Sequence, residues 1–204
     1  MALIGLKYLA AAETTYTDDG ALPTFSGGML LGKGIQADKE AEFSITELYA
    51  DNELAESSKD FEGGTLTLNT ADFGYTSESI FPVQAMLFGH KYIAATDDAP
   101  ATLRKSADDV PPYLGIAYIK TRQFNNDISY EVTMLYKVQF APPSETGKTK
   151  GKNVEFSTPS FEGTFYSVNC TDSEGNTRAV YEDTYRFDSC ADAVDYIKTV
   201  FGIT

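Results

Sequence analysis

The sequence predicts a mainly β protein, a β-sandwich or partial barrel with a long β-hairpin, one flanking short α-helix and a C-terminal helix. Three observations carry that reading. Tyr and Phe occur 13 times each and Trp not at all, and both favour pleated, half-buried surfaces. Apolar and polar residues alternate over long stretches, which is the period of a strand. The strand-like stretches follow one another without regular βαβ alternation, so the doubly wound α/β architectures are excluded.

The first apolar run, Leu3 to Ala12, reads as a strand that ends in Glu13-Thr14-Thr15. Thr17-Asp18-Asp19-Gly20 is a turn signal, and Gly27-Gly28 punctuates the next stretch. From Gly34 to Tyr49 the odd positions carry Ile35, Ala37, Ala41, Phe43 and Ile45, with Lys39 the exception, while Gln36, Asp38, Glu40, Glu42, Ser44 and Thr46 fill the even ones. This is an unusually long half-buried strand with an acidic polar face. Ala50 to Asp60 is polar and weakly periodic and reads as an exposed loop. Phe61 to Thr70 resumes strand character, so the whole forms a long hairpin with a large tip.

At Ser79 to Phe88 the period changes. Ile80, Val83, Met86 and Leu87 share a helical stripe, Pro82 lies in the first turn, and Gly89 terminates. Asp97 to Pro112 reads as a loop. Tyr113 to Arg122 is apolar on both faces, with Tyr113, Gly115, Ala117 and Ile119 on one and Leu114, Ile116 and Tyr118 on the other. That describes a central strand or one with an interface on its second face. Asn125-Asn126-Asp127 turns the chain into Ile128 to Phe140, which puts Tyr130, Val132, Met134, Tyr136 and Val138 on one face and completes a hairpin. Pro142-Pro143 stops that strand, and Glu145 to Asn153 is a Gly/Lys-rich loop. Val154 to Cys170 returns to strand, interrupted by Pro159 and by Gly163, which marks a bulge or a close backbone contact. Arg178 to Tyr185 is a further short strand. The C-terminal helix carries Ala193, Val194, Ile197, Val200 and Phe201 at helical spacing, with Ser189 and Asp192 resembling a capping box and Gly202 after the last turn.

The bulk properties exclude several classes. The length suits one domain over 1–204. The net charge of −14 repels a phosphate backbone and disfavours sequence-specific nucleic-acid binding, although an acidic surface can face DNA without adhering to it. No secretory signal pattern follows Met1, and no run approaches a membrane span. Cys170 and Cys190 fit no CxxC or metal spacing. They read as two free thiols in a reducing compartment, with a disulfide as the lesser alternative.

Catalytic signatures are missing. His90 is the single histidine, has no partner evident in sequence, and reads as structural. No nucleophile elbow, phosphate loop, dinucleotide fingerprint or HExxH is present. The acid pairs Asp18-Asp19, Asp97-Asp98 and Asp108-Asp109 read as solubilising loop charge rather than a calcium site or a glycosidase pair. No cofactor or metal is implied. Lys148, Lys150 and Lys152, with Glu145 in the same loop, form a solvated loop or a mobile element. Of its functional roles, contact with an acidic neighbouring subunit is preferred over nucleic-acid binding.

Several strings then matter in order: Met1-Ala2-Leu3-Ile4-Gly5-Leu6-Lys7, Thr46-Glu47-Leu48-Tyr49-Ala50-Asp51-Asn52, Ala71-Asp72, Leu87-Phe88-Gly89-His90, Pro111-Pro112-Tyr113-Leu114-Gly115-Ile116-Ala117-Tyr118, Leu135-Tyr136-Lys137-Val138-Gln139-Phe140-Ala141-Pro142, and Phe156-Ser157-Thr158-Pro159-Ser160-Phe161-Glu162-Gly163-Thr164-Phe165. In this order the chain resembles the major tail protein (tail tube protein) family of bacteriophages with long, non-contractile tails, from Met1 to about Val168. The region 170–204 departs from shorter members and reads as a C-terminal extension with a helix. The resemblance implies a structural, non-enzymatic virion protein that forms hexameric rings stacked into the tail tube, the conduit for DNA during ejection. It is assembled in the host cytoplasm with partners such as tape measure and terminator proteins.

By the same resemblance the hairpin tip (Ala50, Asp51, Asn52, Glu53, Leu54, Ala55, Glu56, Ser57, Ser58, Lys59, Asp60) reaches the adjacent ring, and the loop with Glu145, Lys148, Lys150 and Lys152 makes a second inter-subunit contact. Asp38, Glu40 and Glu42 are expected to face the lumen, where carboxylates repel DNA and let it slide. The rival readings are an immunoglobulin-like binding or adhesion module, a tail terminator ring protein, and, last, a hydrolase using paired carboxylates.

Overall fold

The structure is a computed structural model that describes residues 2–17, 20–50, 53–125, 127–144, 158–171 and 174–203, without the side chains of residues 2, 48–50 and 53–55. In chain order its elements are β1 (Ala2–Thr15), β2 (Thr24–Gly32), β3 (Gly34–Ala50), β4 (Glu53–Thr70), α1 (Ile80–Phe88), β5 (Lys91–Ile93), β6 (Thr102–Arg104), β7 (Leu114–Phe124), β8 (Asp127–Phe140), β9 (Ser160–Phe165), β10 (Val168–Thr171), β11 (Thr177–Val180), β12 (Glu182–Phe187) and α2 (Cys190–Phe201). The fold is mainly β, as the alternation predicts.

Eight strands form one antiparallel sheet in the order β2-β1-β7-β8-β9-β4-β3, with β12 added to β8. β2 and β3 stand at opposite ends of this order, yet only Lys33 separates them in sequence. The chain therefore passes from one end of the sheet to the other in a single residue, which requires the sheet to curl back on itself into a partial barrel. Gly32 makes the corner. Its φ is +131°, and a Cβ there would lie 2.3 Å from the Asp72 carbonyl oxygen. The amides of Ala71 and Gly74 donate to the carbonyls of Lys33 and Leu31, closing the corner from the other side.

Strand alternation divides the core in two. On the inner face Leu9, Ala11, Leu31, Leu66, Leu68, Leu114, Ile116, Tyr118, Leu135, Val138, Phe140, Phe161 and Phe165 pack with Val83, Met86, Leu87 and Phe88 of α1. On the outer face Ala10, Ala12, Ala117, Ile119, Val132, Met134 and Tyr136 are covered by Ala193, Ile197 and Phe201 of α2. Each fully buried aromatic or leucine side chain contributes roughly 1.5–3 kcal/mol. β7 is buried on both faces, as its doubly apolar pattern predicts.

Both helices stop at the glycines that the sequence points to: left-handed Gly89 closes α1 and left-handed Gly202 closes α2. Their starts differ. The Ser189 hydroxyl accepts from the Ala191 amide and caps α2. Ser79, before α1, makes no side-chain cap bond, because its hydroxyl donates back to the Thr76 carbonyl at 2.8 Å.

Four expectations are revised. Ala50 to Asp60 is not a loop: β4 begins at Glu53 and pairs with β3 up to Ala50, so the tip reduces to Asp51 and Asn52, which lie outside the described residues. The reason is that Glu56 to Asp60 is exposed on both faces, so no apolar alternation marks the strand. The Asp97–Pro112 loop contains β6, paired with β5. In Val154 to Cys170 the break falls between Phe165 and Val168 rather than at Gly163, which β9 runs through, and 154–157 lie outside the described residues. Arg178 to Tyr185 divides at Tyr181 into β11 and β12.

A bulge also changes one facing. Leu114 pairs with Val138 but Ile116 pairs with Leu135, so β8 carries an extra residue between them. Val138 therefore joins Leu135 on the inner face rather than Tyr136 on the outer one. The sheet forks here: β12 pairs with β8 up to Leu135, and β9 takes over at Val138. Gly163 marks close contact rather than a bulge, because β9 keeps register and a Cβ there would lie 2.6 Å from the Phe140 ring.

Candidate functional site

The predicted acidic face sits on β3. Asp38, Glu40 and Glu42 are exposed, and their cross-strand partners are Thr67, Thr65 and Gly63. Glu162 and Thr164 of β9 extend the same face. Successive carboxylates on one strand face stand about 7 Å apart, two residues of rise. Asp38 accepts a hydrogen bond from Gln36 Nε2 at 2.7 Å. The surface is polar and acidic, with threonine hydroxyls between the acids.

On the opposite face of β3, Lys39 points inward among Ala37 and Ala41. Its ammonium contacts the Glu182 carboxylate of β12 and lies 5.9 Å from the Tyr181 ring centroid. Burial, with the Lys120 ammonium adding to it, brings its pKa down to about 8. An inward charge on an edge strand opposes pairing with another edge. Lys39 thus guards the proximal half of β3, and its place as the one charge among the odd residues from Ile35 to Ile45 is visible in the sequence.

Beyond Glu42 the hairpin leaves the body as an arm. Phe43 to Ala50 spans roughly 25 Å at strand rise. Phe43 is 43 % and Ile45 63 % exposed. Phe43 meets Phe61 edge-on at 5.5 Å, and Lys59 Nζ stands 4.0 Å from the Phe43 centroid. A two-stranded ribbon by itself is marginally stable in water, so these cross-strand contacts supply local order and leave apolar surface uncovered. The free edge of β3 ends the sheet. Of the tip residues, Glu56, Ser57, Ser58, Lys59 and Asp60 lie on the arm and are exposed. The loop with Glu145, Lys148, Lys150 and Lys152 lies outside the described residues.

A second group ties the C-terminal segment down. The Tyr136 hydroxyl donates to Asp183, and the Tyr185 hydroxyl donates to the same carboxylate oxygen at 3.2 Å. Burial, followed by its hydrogen bonding with Asp183 and Tyr185, raises the Tyr136 pKa well above the ordinary phenol range. The C-terminal segment is thus hydrogen-bonded into the sheet through β12 and packed on it through α2.

His90 has a partner that the sequence does not reveal. Its Nδ1 lies 2.8 Å from Asp109 Oδ2, and the imidazole is 7 % exposed. The Ser106 amide donates to the same carboxylate, and that bond, followed by His90, lowers the Asp109 pKa. Asp109 is therefore a structural ligand of its loop rather than solubilising charge. Cys170 and Cys190 are free thiols. Among the described residues no group of three His, Cys, Asp or Glu side chains is arranged to hold a metal.

No protein-family model matches the chain, and no curated protein matches it in sequence.

Proposed function

We propose that this chain is a structural subunit that polymerises as stacked rings into a phage tail tube and forms the conduit for DNA during ejection. The observation that supports this best is the β3 edge, which runs on into an arm bearing exposed Phe43 and Ile45. A long open edge with apolar side chains is a template for pairing with another chain, and a repeating subunit uses such an edge productively. The acidic face of Asp38, Glu40 and Glu42 suits a lumen through which DNA slides without specific binding. Tape measure and terminator proteins are the further partners of this reading, the virion tail is its location, and assembly takes place in the host cytoplasm.

Negative-stain electron microscopy of the purified protein over a range of concentrations tests it. Hollow tubes or stacked rings with a regular axial repeat are expected. Compact monomers at every concentration, also in the presence of tail-tip extract, would overturn it in favour of a monomeric binding module.

A further inference from the structure

The arm leaves the body at an irregular point of the ladder. Glu42 pairs with Gly63 and Phe43 with Phe61, so Glu62 is an extra residue on β4. Gly63 has φ +137°, a conformation that glycine alone adopts without strain. Gly64 leaves no room for a Cβ against the Glu40 carbonyl and the Phe165 ring. Gly64 is also the last residue of β4 that pairs with β9. Beyond it the ribbon has no further strand neighbour among the described residues. A bulge, a left-handed glycine and the end of strand support thus coincide at one place.

The C-terminal segment grips the chain on both sides of that place. Tyr181 lies where the sheet forks, and its carbonyl accepts from the Tyr136 amide at 3.3 Å. Its ring stacks on Phe61, with centroids 4.7 Å apart and planes 8° apart, and lies 5.6 Å from the Phe165 ring. The next residue, Glu182, contacts Lys39 on the body side of the bulge. Both are anchored by β12, which pairs with β8 from Glu182 to Phe187 and whose Asp183 accepts from Tyr136 and Tyr185.

We propose that Glu62 and Gly63 form a hinge at the root of the arm, and that Tyr181 of the C-terminal segment is a latch on Phe61 that holds the arm in one direction. Its use rests on the self-assembly proposed above: an arm held in place before contact loses less freedom on binding a neighbouring copy. Phe61 passes the restraint outward, since Phe43 meets Phe61 edge-on and Lys59 covers Phe43. Phe61 is also the arm residue whose ring reaches the body, at Tyr181 and Phe165. One aromatic stack favours the held direction by about tenfold or less, so the arm is directed and still releasable. The partly exposed Lys39–Glu182 pair adds little to this.

Electron–electron distance measurement on the monomer tests the latch. The chain carries Cys170→Ser and Cys190→Ser, with spin labels at Ile45→Cys on the arm and Val110→Cys on the body. These positions are 63 % and 74 % exposed, and the Val110 carbonyl lies against Gly89 at the end of α1. A single narrow distance distribution is expected. Tyr181→Leu keeps an apolar side chain near Phe165 and removes the stack, and is expected to broaden the distribution about twofold or add a second distance. Glu182→Gln should broaden it less. Tyr185→Phe, which keeps the stack, should leave it unchanged. Circular dichroism checks that each variant retains its sheet, and Phe61→Leu removes the same stack from the arm side if Tyr181→Leu does not fold. An unchanged distribution in the folded variants overturns the latch, as does a distribution already broad with Tyr181 in place. Because the monomer is measured, a failed latch leaves the tube reading standing, and absence of tubes overturns that reading alone.

Discussion

From Gly34 to Glu42 the β3–β4 hairpin lies on the body of the protein, and from Phe43 to Ala50 it does not. One ladder runs through both halves, with a bulge between Glu42 and Phe43 where they meet. In the proximal half Leu66 and Leu68 are fully buried in the inner core. In the distal half Phe43 meets Phe61 and Lys59 across the ribbon, and Ile45 is mostly exposed. Both halves are therefore paired in the same antiparallel way, and burial differs. Backbone hydrogen bonds contribute little net stability, since water competes for them, so the proximal half carries the fold and the distal half is free to serve another purpose.

The contrast can be broken most sharply at Leu66. Leu66→Ala is expected to cost about 2–5 kcal/mol, read as a lower denaturation midpoint with unchanged slope. Gly32→Ala, at the corner that launches the hairpin, is expected to cost about 1–3 kcal/mol because of its positive φ and the Asp72 carbonyl behind it. Thermal unfolding would measure it, and a neutral result would mean that the corner relaxes. Lys39→Ala removes a partly exposed partner of Glu182 and is expected to cost about 1 kcal/mol or less, read in the same assay. Ile45→Ser should change monomer stability by under about 0.5 kcal/mol while weakening self-association by sedimentation. Loss of stability there comparable to Leu66→Ala would show that the arm packs on the body after all. Amide hydrogen exchange sharpens the same point: the distal arm should exchange by local fraying and the proximal ladder only with global opening.

Legibility in the sequence follows burial. β7 and the two helices are readable because one face, or both, meets the core and imposes a period, whereas in β3 only Ala37 and Ala41 pack on the core and Ile35, Phe43 and Ile45 keep the alternation while exposed. Glu53 to Asp60 is not readable as strand, because exposure of its described side chains on both faces removes the alternation. The bulge in β8 is hidden as well: Tyr136, Lys137 and Val138 keep a plausible alternation, and only the partner strands show that one residue is extra. His90 gives no hint of Asp109, since the two are 19 residues apart and the β5–β6 hairpin lies between them.

By itself the sequence determined the β-rich class, the acidic face of β3, the glycines that stop α1 and α2, and the serine that starts α2, because each depends on periodicity or on neighbours a few residues away. Tertiary structure decided which strands pair, where the sheet forks at β8, that β2 and β3 close the curl through Gly32, and that β3 ends the sheet. Those outcomes depend on contacts between residues far apart in the chain, whose energies are set by packing and register that no local pattern encodes.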